Sequence, residues 1–219
     1  LSDYNVCSQK GLSEIFDSTI GAGTVLMPFG GKNQLTPPTA MAAKIPVDGH
    51  TDTATVASYG CDPALLDEGC FIGALYSVLL SVVKVAVTGV PLSSIRLTFQ
   101  EFFERLRTDP ERWGKPTAAL LGALNAQLGF NMAAIGGKDS MSGTFEKLDV
   151  PPTLISFALG IGDAKSLITN VFARPDQRVY RVRIKRDKYN VPDYEYLTEF
   201  LKLLYGETVR GNVDYATVV

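Results

Sequence analysis

The chain has 219 residues, of which 46% are hydrophobic and 20% charged; 21 basic side chains nearly cancel 23 acidic ones, for a formal charge of -2. That balance excludes a general basic field for nucleic acid, and the length suits one large domain or one domain with part of another. Three cysteines (Cys7, Cys61, Cys70) without a CxxC, and one histidine, His50, exclude a cysteine-rich zinc site of ordinary spacing.

An odd cysteine count is expected to mean free, partly buried thiols in a reducing, cytoplasmic setting. No basic segment precedes an apolar core at the start, so no signal peptide is read. The chain opens on Leu1 and stops on the apolar run Tyr215-Ala216-Thr217-Val218-Val219. A piece of a longer polypeptide is the expectation.

In chain order, residues 1–8 read as a linker. Gly21-Ala22-Gly23 reads as a bend. Thr24-Val25-Leu26-Met27-Pro28-Phe29 reads as a short strand, which Pro28 marks as an edge or a bend. Phe29-Gly30-Gly31-Lys32 is a second bend, and Thr36-Pro37-Pro38-Thr39 is a turn. Ala40 to Val47 is a second extended piece. Thr51 to Tyr59 alternates and is rich in Thr and Val, the pattern of a strand, and Gly60-Cys61-Asp62-Pro63 ends it.

A long apolar helix is predicted from Cys70 to Thr88, with Gly89 as its stop and Pro91 beyond. Its only charge is Lys84, but Gly73, Ser77 and Ser81 interrupt it. The uncharged part, Cys70 to Val83, falls short of the roughly 20 residues of a membrane span, so it reads as a helix buried on most sides. Ser94 to Phe99 is a predicted strand. Gln100 to Leu106 is a predicted short helix exposing Glu101, Glu104, Arg105 and Arg107.

Pro116 to Leu128 is predicted as an amphipathic helix, with Pro116 in its first turn and Gly129 as its cap. Leu120, Leu121, Leu124 and Leu128 share one face, expected to meet the core. A strand from Asn131 to Ile135 leads into a Gly-Gly-Lys-Asp-Ser loop. Thr153 to Ile161 is nearly unbroken apolar and belongs at the centre of a sheet. Composition turns basic after Asn170. Arg178 to Ile184 alternates as a half-exposed strand would, and Asp193 caps a last helix, Tyr194 to Tyr205. The domain boundary falls near 166–176, leaving residues 171–219 too short for a core of their own.

Chemistry concentrates in Ile135-Gly136-Gly137-Lys138-Asp139-Ser140-Met141-Ser142-Gly143-Thr144-Phe145. It is not a P-loop: Asp139 follows Lys138, and Met132 stands where the first Gly belongs. GxGxxG and GxSxG are also missing. What remains is a glycine-rich turn in which Lys138 can neutralise a phosphate and Asp139 can hold Mg²⁺ directly or through water. The alternative for the same residues is a tight turn with solvated charges. His50, in a loop, reads as solvated. Arg178 to Lys188 reads as a solvent face.

Gly136-Gly137-Lys138-Asp139-Ser140-Met141-Ser142 resembles the signature of phosphoribosylformylglycinamidine synthase, an ATP-dependent amidotransferase of purine synthesis. The segments 11–23, 54–60, 95–101 and 151–157 resemble the same family, in the family's order. The resemblance implies an α+β fold: an AIR-synthetase-like (PurM-like) N-terminal domain over residues 9–170, from the second synthetase half, and the opening of its C-terminal domain over 171–219. It implies a ligase acting on formylglycinamide ribonucleotide with ATP and Mg²⁺ as cofactors. Ammonia would come from a separate glutaminase domain, which cannot be assembled from this chain's Cys and His residues.

By the same resemblance, Gly136, Gly137, Lys138, Asp139, Ser140 and Ser142 face substrate or nucleotide phosphate, Asp139 is the metal ligand, and Lys84 and Tyr59 are nucleotide contacts. Relatives carry a Glu and an Asn four residues apart on the long helix for an auxiliary nucleotide's Mg²⁺; here Leu80 and Lys84 occupy those positions. The implied partners are a nucleotide substrate, the first synthetase half and the glutaminase domain, with a homodimer expected for this piece and no catalysis by it alone. The alternatives are a non-catalytic pairing domain of the same synthetase and another ATP-binding member of the superfamily, such as a selenophosphate or thiamine-phosphate enzyme.

Overall fold

A computed structural model describes residues 10–11, 23–172 and 174–218. Cys7, most of the 11–23 segment and the first two residues of the Gly21-Ala22-Gly23 bend lie outside them. The architecture is a mixed α+β sheet packed by helices. Its order is β1 (Thr24–Leu26), β2 (Met41–Lys44), β3 (Thr53–Gly60), α1 (Pro63–Glu68), α2 (Cys70–Val87), β4 (Arg96–Phe102), α3 (Pro110–Phe130), β5 (Ala134–Ser140), β6 (Thr144–Phe145), β7 (Leu148–Asp149), β8 (Thr153–Asp163) and α4 (Tyr194–Val209).

Six strands form the main sheet in the order β1-β2-β3-β8-β4-β5, and β6 and β7 form a separate hairpin. All pairings are antiparallel except β4 with β5, whose parallel alignment requires the α3 crossover. The apolar strand β8 is central, as its sequence predicts, but it alternates. Leu154, Ser156, Ala158 and Gly160 are buried on the helix side, while Leu159 and Ile161 on the other face are exposed. Among the described residues, helices cover one face of the sheet only.

Helix α1 is absent from the sequence reading. Asp62 caps it by accepting from the Leu65 amide at 3.1 Å, and Pro63 occupies its first turn. Helix α2 matches its prediction almost to the residue, and Gly89 beyond it has φ of +102°, a conformation that favours glycine. α2 is long and apolar enough to cross a membrane, with a mean hydropathy of 2.1, yet 67% of it is buried inside the fold. Ser81 resolves the problem of its buried hydroxyl by pairing with Ser156 at 2.8 Å and donating to the Val78 carbonyl.

Helix α3 departs from expectation in three ways. It begins at Pro110, capped by Asp109, so Pro116 lies inside it rather than in its first turn. Asn131, in the left-handed conformation, caps its end in place of Gly129. Its inward face is Ala119, Gly122, Ala123, Ala126 and Phe130, whereas Leu120, Leu121, Leu124 and Leu128 are 52%, 53%, 46% and 72% exposed. The cause is the closeness of α2. A Cβ on Gly122 would come within 2.0 Å of the Phe71 carbonyl oxygen, so only small side chains fit the seam. Gly129 meets the Tyr194 ring in the same way.

Three more expectations are corrected. Gln100 to Leu106 is not a helix: β4 runs to Phe102 because it is paired on both sides, and Glu101 and Glu104 are buried. The Gly-Gly-Lys-Asp-Ser segment is strand, not loop, since β5 extends to Ser140 along β4. Arg178 to Ile184 is irregular, with Arg178, Arg181 and Arg183 exposed and no strand beside them among the described residues. α4 forms as predicted, its cap Asp193 accepting from the Tyr196 amide, and Leu197 and Leu201 join the core shared with α2 and α3.

Candidate functional site

Among the described residues β5 is the outermost strand on its side of the sheet, and the Gly136–Ser140 backbone is laddered to β4 on one side only. A register shift after Leu97 skips Ile135: Leu97 aligns with Ala134, then Thr98 with Gly136, Phe99 with Gly137, Gln100 with Lys138, Glu101 with Asp139 and Phe102 with Ser140. Bulges of this kind re-aim side chains at sheet rims. Gly137 is required by proximity, because a Cβ there would lie 2.9 Å from the Phe99 carbonyl oxygen. Gly136 has open space around it.

The shift puts Lys138 and Asp139 on opposite faces of the strand. Lys138, on the face free of helices, holds its ammonium 5.0 Å from the centre of the Phe102 ring. Asp139 is exposed and lies on the helix-side face, level with Glu101. Ser140 and Ser142 hydroxyls pair at 3.0 Å. Lys138 and Ser140 thus share the face away from the helices, where a cation and a hydroxyl suit phosphate oxygens, while Asp139 stands on the other face beside Glu101, where carboxylates suit a hydrated cation.

Sequence reasoning missed Glu101. Its side chain is only 4% exposed, and its Oε1 has no hydrogen-bond partner. Burial pushes its carboxyl up to about 7, with the Asp139 charge adding to the effect. The signal was available: Leu97, Phe99, Glu101 and Phe103 alternate, so a strand continuing through residue 101 would carry Glu101 inward. Glu104, equally buried, is accounted for by Lys115 at 2.7 Å.

Lys84 and Tyr59 are brought together. Lys84 donates to the Tyr59 carbonyl at 3.0 Å, and its ammonium stands 4.8 Å from the Tyr59 ring centre. Burial holds its amine below the usual lysine range. Leu80, one turn back on α2, is partly buried. The pair is separate from the β5 segment. Tyr59, Phe157, Thr98 and Gly136 form one row across β3, β8, β4 and β5, so three strand spacings, roughly 14 Å, lie between them.

Other candidates fall away. His50 is exposed and pairs with Asp52 at 3.0 Å. Cys61 and Cys70 are free and half-buried, and burial raises both thiols, away from the thiolate form a nucleophile needs. A cleft of about 560 Å³ lies beside Glu104, Arg112, Lys115 and Asp149. Arg112 bonds Asp149 and Lys115 bonds Glu104, so these charges are already paired.

Among the described residues no group of three or more His, Cys, Asp or Glu could hold a metal ion. Glu101 and Asp139 supply two carboxylates, one with an orphaned buried oxygen. That donor set fits Mg²⁺, which takes one or two carboxylates and completes its octahedron with water and phosphate.

No protein-family model matches the sequence, and no curated protein matches it. Solved structures do. PurL of Thermotoga maritima complexed with FGAR is 18% identical with a TM-score of 0.65, covering 94% of this chain and 30% of that one. The same protein complexed with AMPPCP is 21% identical with a TM-score of 0.60, covering 77% of this chain and 26% of that one. The PurLQS structure from T. maritima is 21% identical, TM-score 0.60, over 74% of this chain and 25% of that one. This chain therefore spans 30% or less of each of these relatives. It shares their fold over that part.

Proposed function

We propose that this chain is part of an FGAM synthase, an ATP-using ligase of purine biosynthesis, and forms the AIR-synthetase-like N-terminal domain of its second half. The observation that carries the reading is the coincidence of motif and fold. Gly136-Gly137-Lys138-Asp139-Ser140 sits on the rim strand of a domain whose solved relatives are complexed with FGAR and with AMPPCP. Lys138 would neutralise phosphate, the Ser140 and Ser142 hydroxyls would hydrogen-bond its oxygens, and Asp139 would hold Mg²⁺. Bound Mg²⁺ would supply charge neutralisation for phosphoryl transfer. Residues 171–219 would open the C-terminal domain. The first synthetase half and a glutaminase domain would be its partners in the whole protein, acting in the cytoplasm.

The test is Asp139→Asn in the full-length enzyme. Turnover should fall strongly with stability nearly intact, and unchanged turnover would remove Asp139 from the site.

A second reading is favoured by a specific observation. Met41, Tyr59, Leu159 and Ile161 are 46%, 58%, 48% and 41% exposed on the sheet face that carries no helix among the described residues. Such an apolar surface suits pairing with a like domain, and Leu80 replaces an expected metal ligand. A structural domain that completes the first half, and a homodimer of this piece alone, are consistent with both. Sedimentation of the isolated chain decides: a monodisperse monomer contradicts the pairing.

A further inference from the structure

The side chain of Glu101 poses a problem that the fold does not solve. It lies on a strand paired on both sides, is 4% exposed, and its Oε1 meets no donor among the described residues. A buried carboxylate oxygen left without a partner carries the full cost of its lost hydration. The nearby cations are committed elsewhere: the Lys138 ammonium stands over Phe102, and Lys115 bonds Glu104. The nearest charge that acts on Glu101 is a second carboxylate, that of Asp139, aligned with it across the parallel β4–β5 ladder. Aligned residues in a ladder share a face.

Two carboxylates on one face, one buried and one open to solvent, repel each other when both are ionised, and a cation between them relieves that repulsion. We propose that Glu101 and Asp139 together seat a divalent cation of the Mg²⁺ class at the β4–β5 rim, Glu101 from below and Asp139 from the solvent side. Two protein carboxylates leave the remaining positions of an octahedron to water or to phosphate oxygens. Glu101 thereby becomes a second ligand, deep in the sheet, for the ion that the proposed function assigns to Asp139 alone. The inference rests on that reading for its biological use, but the seat is defined by the carboxylate pair.

The test uses Mn²⁺ alone, without nucleotide, titrated into the 219-residue chain and followed by the electron paramagnetic resonance signal of free Mn²⁺. Wild-type chain is expected to bind saturably. Glu101→Gln and Asp139→Asn should each weaken binding by about tenfold or more, since even partners one step removed from a metal cost that much. Glu146→Gln, on the exposed turn between β6 and β7, should bind as wild type does. A folded Glu101→Gln chain with wild-type Mn²⁺ affinity overturns the proposal, as does a wild-type chain that takes up no Mn²⁺. Should Glu101→Gln fail to fold, the thermal midpoint decides: Mn²⁺ should raise it in wild type and not in Asp139→Asn, and equal shifts overturn the seat. Mg·ATP binding that depends on Asp139 but not on Glu101 would sink this inference and leave the nucleotide reading standing.

Discussion

The Lys84 ammonium is 3.0 Å from the Tyr59 carbonyl oxygen and 4.8 Å from the centre of the same residue's ring, so one cation ties α2 to the end of β3 by two contacts. Burial disfavours its charge, and the two contacts offset that cost. Lys84→Met should therefore destabilise the chain by about 1 kcal/mol, a hydrogen bond from a charged donor and a cation–π contact less the relief of desolvation. Urea denaturation checks this; an unchanged or higher midpoint would mean that the contacts do not hold the strand end.

Gly122 fixes how closely α2 and α3 approach. A Cβ there would meet the Phe71 carbonyl oxygen at 2.0 Å, and backbone cannot move aside as a side chain can. Gly122→Val should cost more than about 2 kcal/mol, since overpacking of a rigid seam typically costs 1–3 kcal/mol. A thermal midpoint within a degree of wild type would show that the helices separate freely.

The leucines of α3 should tolerate charge. Leu120 and Leu128 are 52% and 72% exposed, so Leu120→Lys and Leu128→Lys should each change stability by less than about 0.5 kcal/mol, the range of ordinary surface substitutions. Losses of the size seen for core leucines, about 2–5 kcal/mol, would mean that this face is covered in the folded chain.

Asp52 collects three partners. Lys165, Lys44 and His50 all bond its carboxylate, and its carboxyl is lowered from 3.8 to about 2, the Lys165 hydrogen bond being the largest cause. A lowered carboxyl contributes stability that is present above the unfolded value and is lost as pH falls through the folded one. Stability should thus drop between pH 4 and about 2 more steeply in wild type than in Asp52→Asn. Parallel acid-denaturation curves for the two would contradict the cluster's role.

Where hydrophobic period and burial agreed, the sequence was legible. Helix α2, the central strand β8 and the Asp193 cap of α4 follow from apolar runs and a capping residue. Where close packing chose small residues over large ones, the period misled: Ala119, Gly122, Ala123 and Ala126 face α2, and the stronger leucine stripe faces outward. The candidate site was half legible. Lys138, Asp139, Ser140 and Ser142 stand out by composition, but two glycines and two charges look like a loop, and only pairing with β4 makes them strand. Glu101 was hidden because a polar run reads as a solvated helix, and a long-range ladder, invisible to local pattern, carries it inward.

The most direct measurement is a calorimetric titration of the chain with Mg·ATP, repeated with Asp139→Asn. The account predicts binding in the micromolar range, about -8 kcal/mol, abolished in the variant. Undiminished binding by Asp139→Asn, or no binding by a folded wild-type chain, would contradict a self-contained phosphate and cation site on β5.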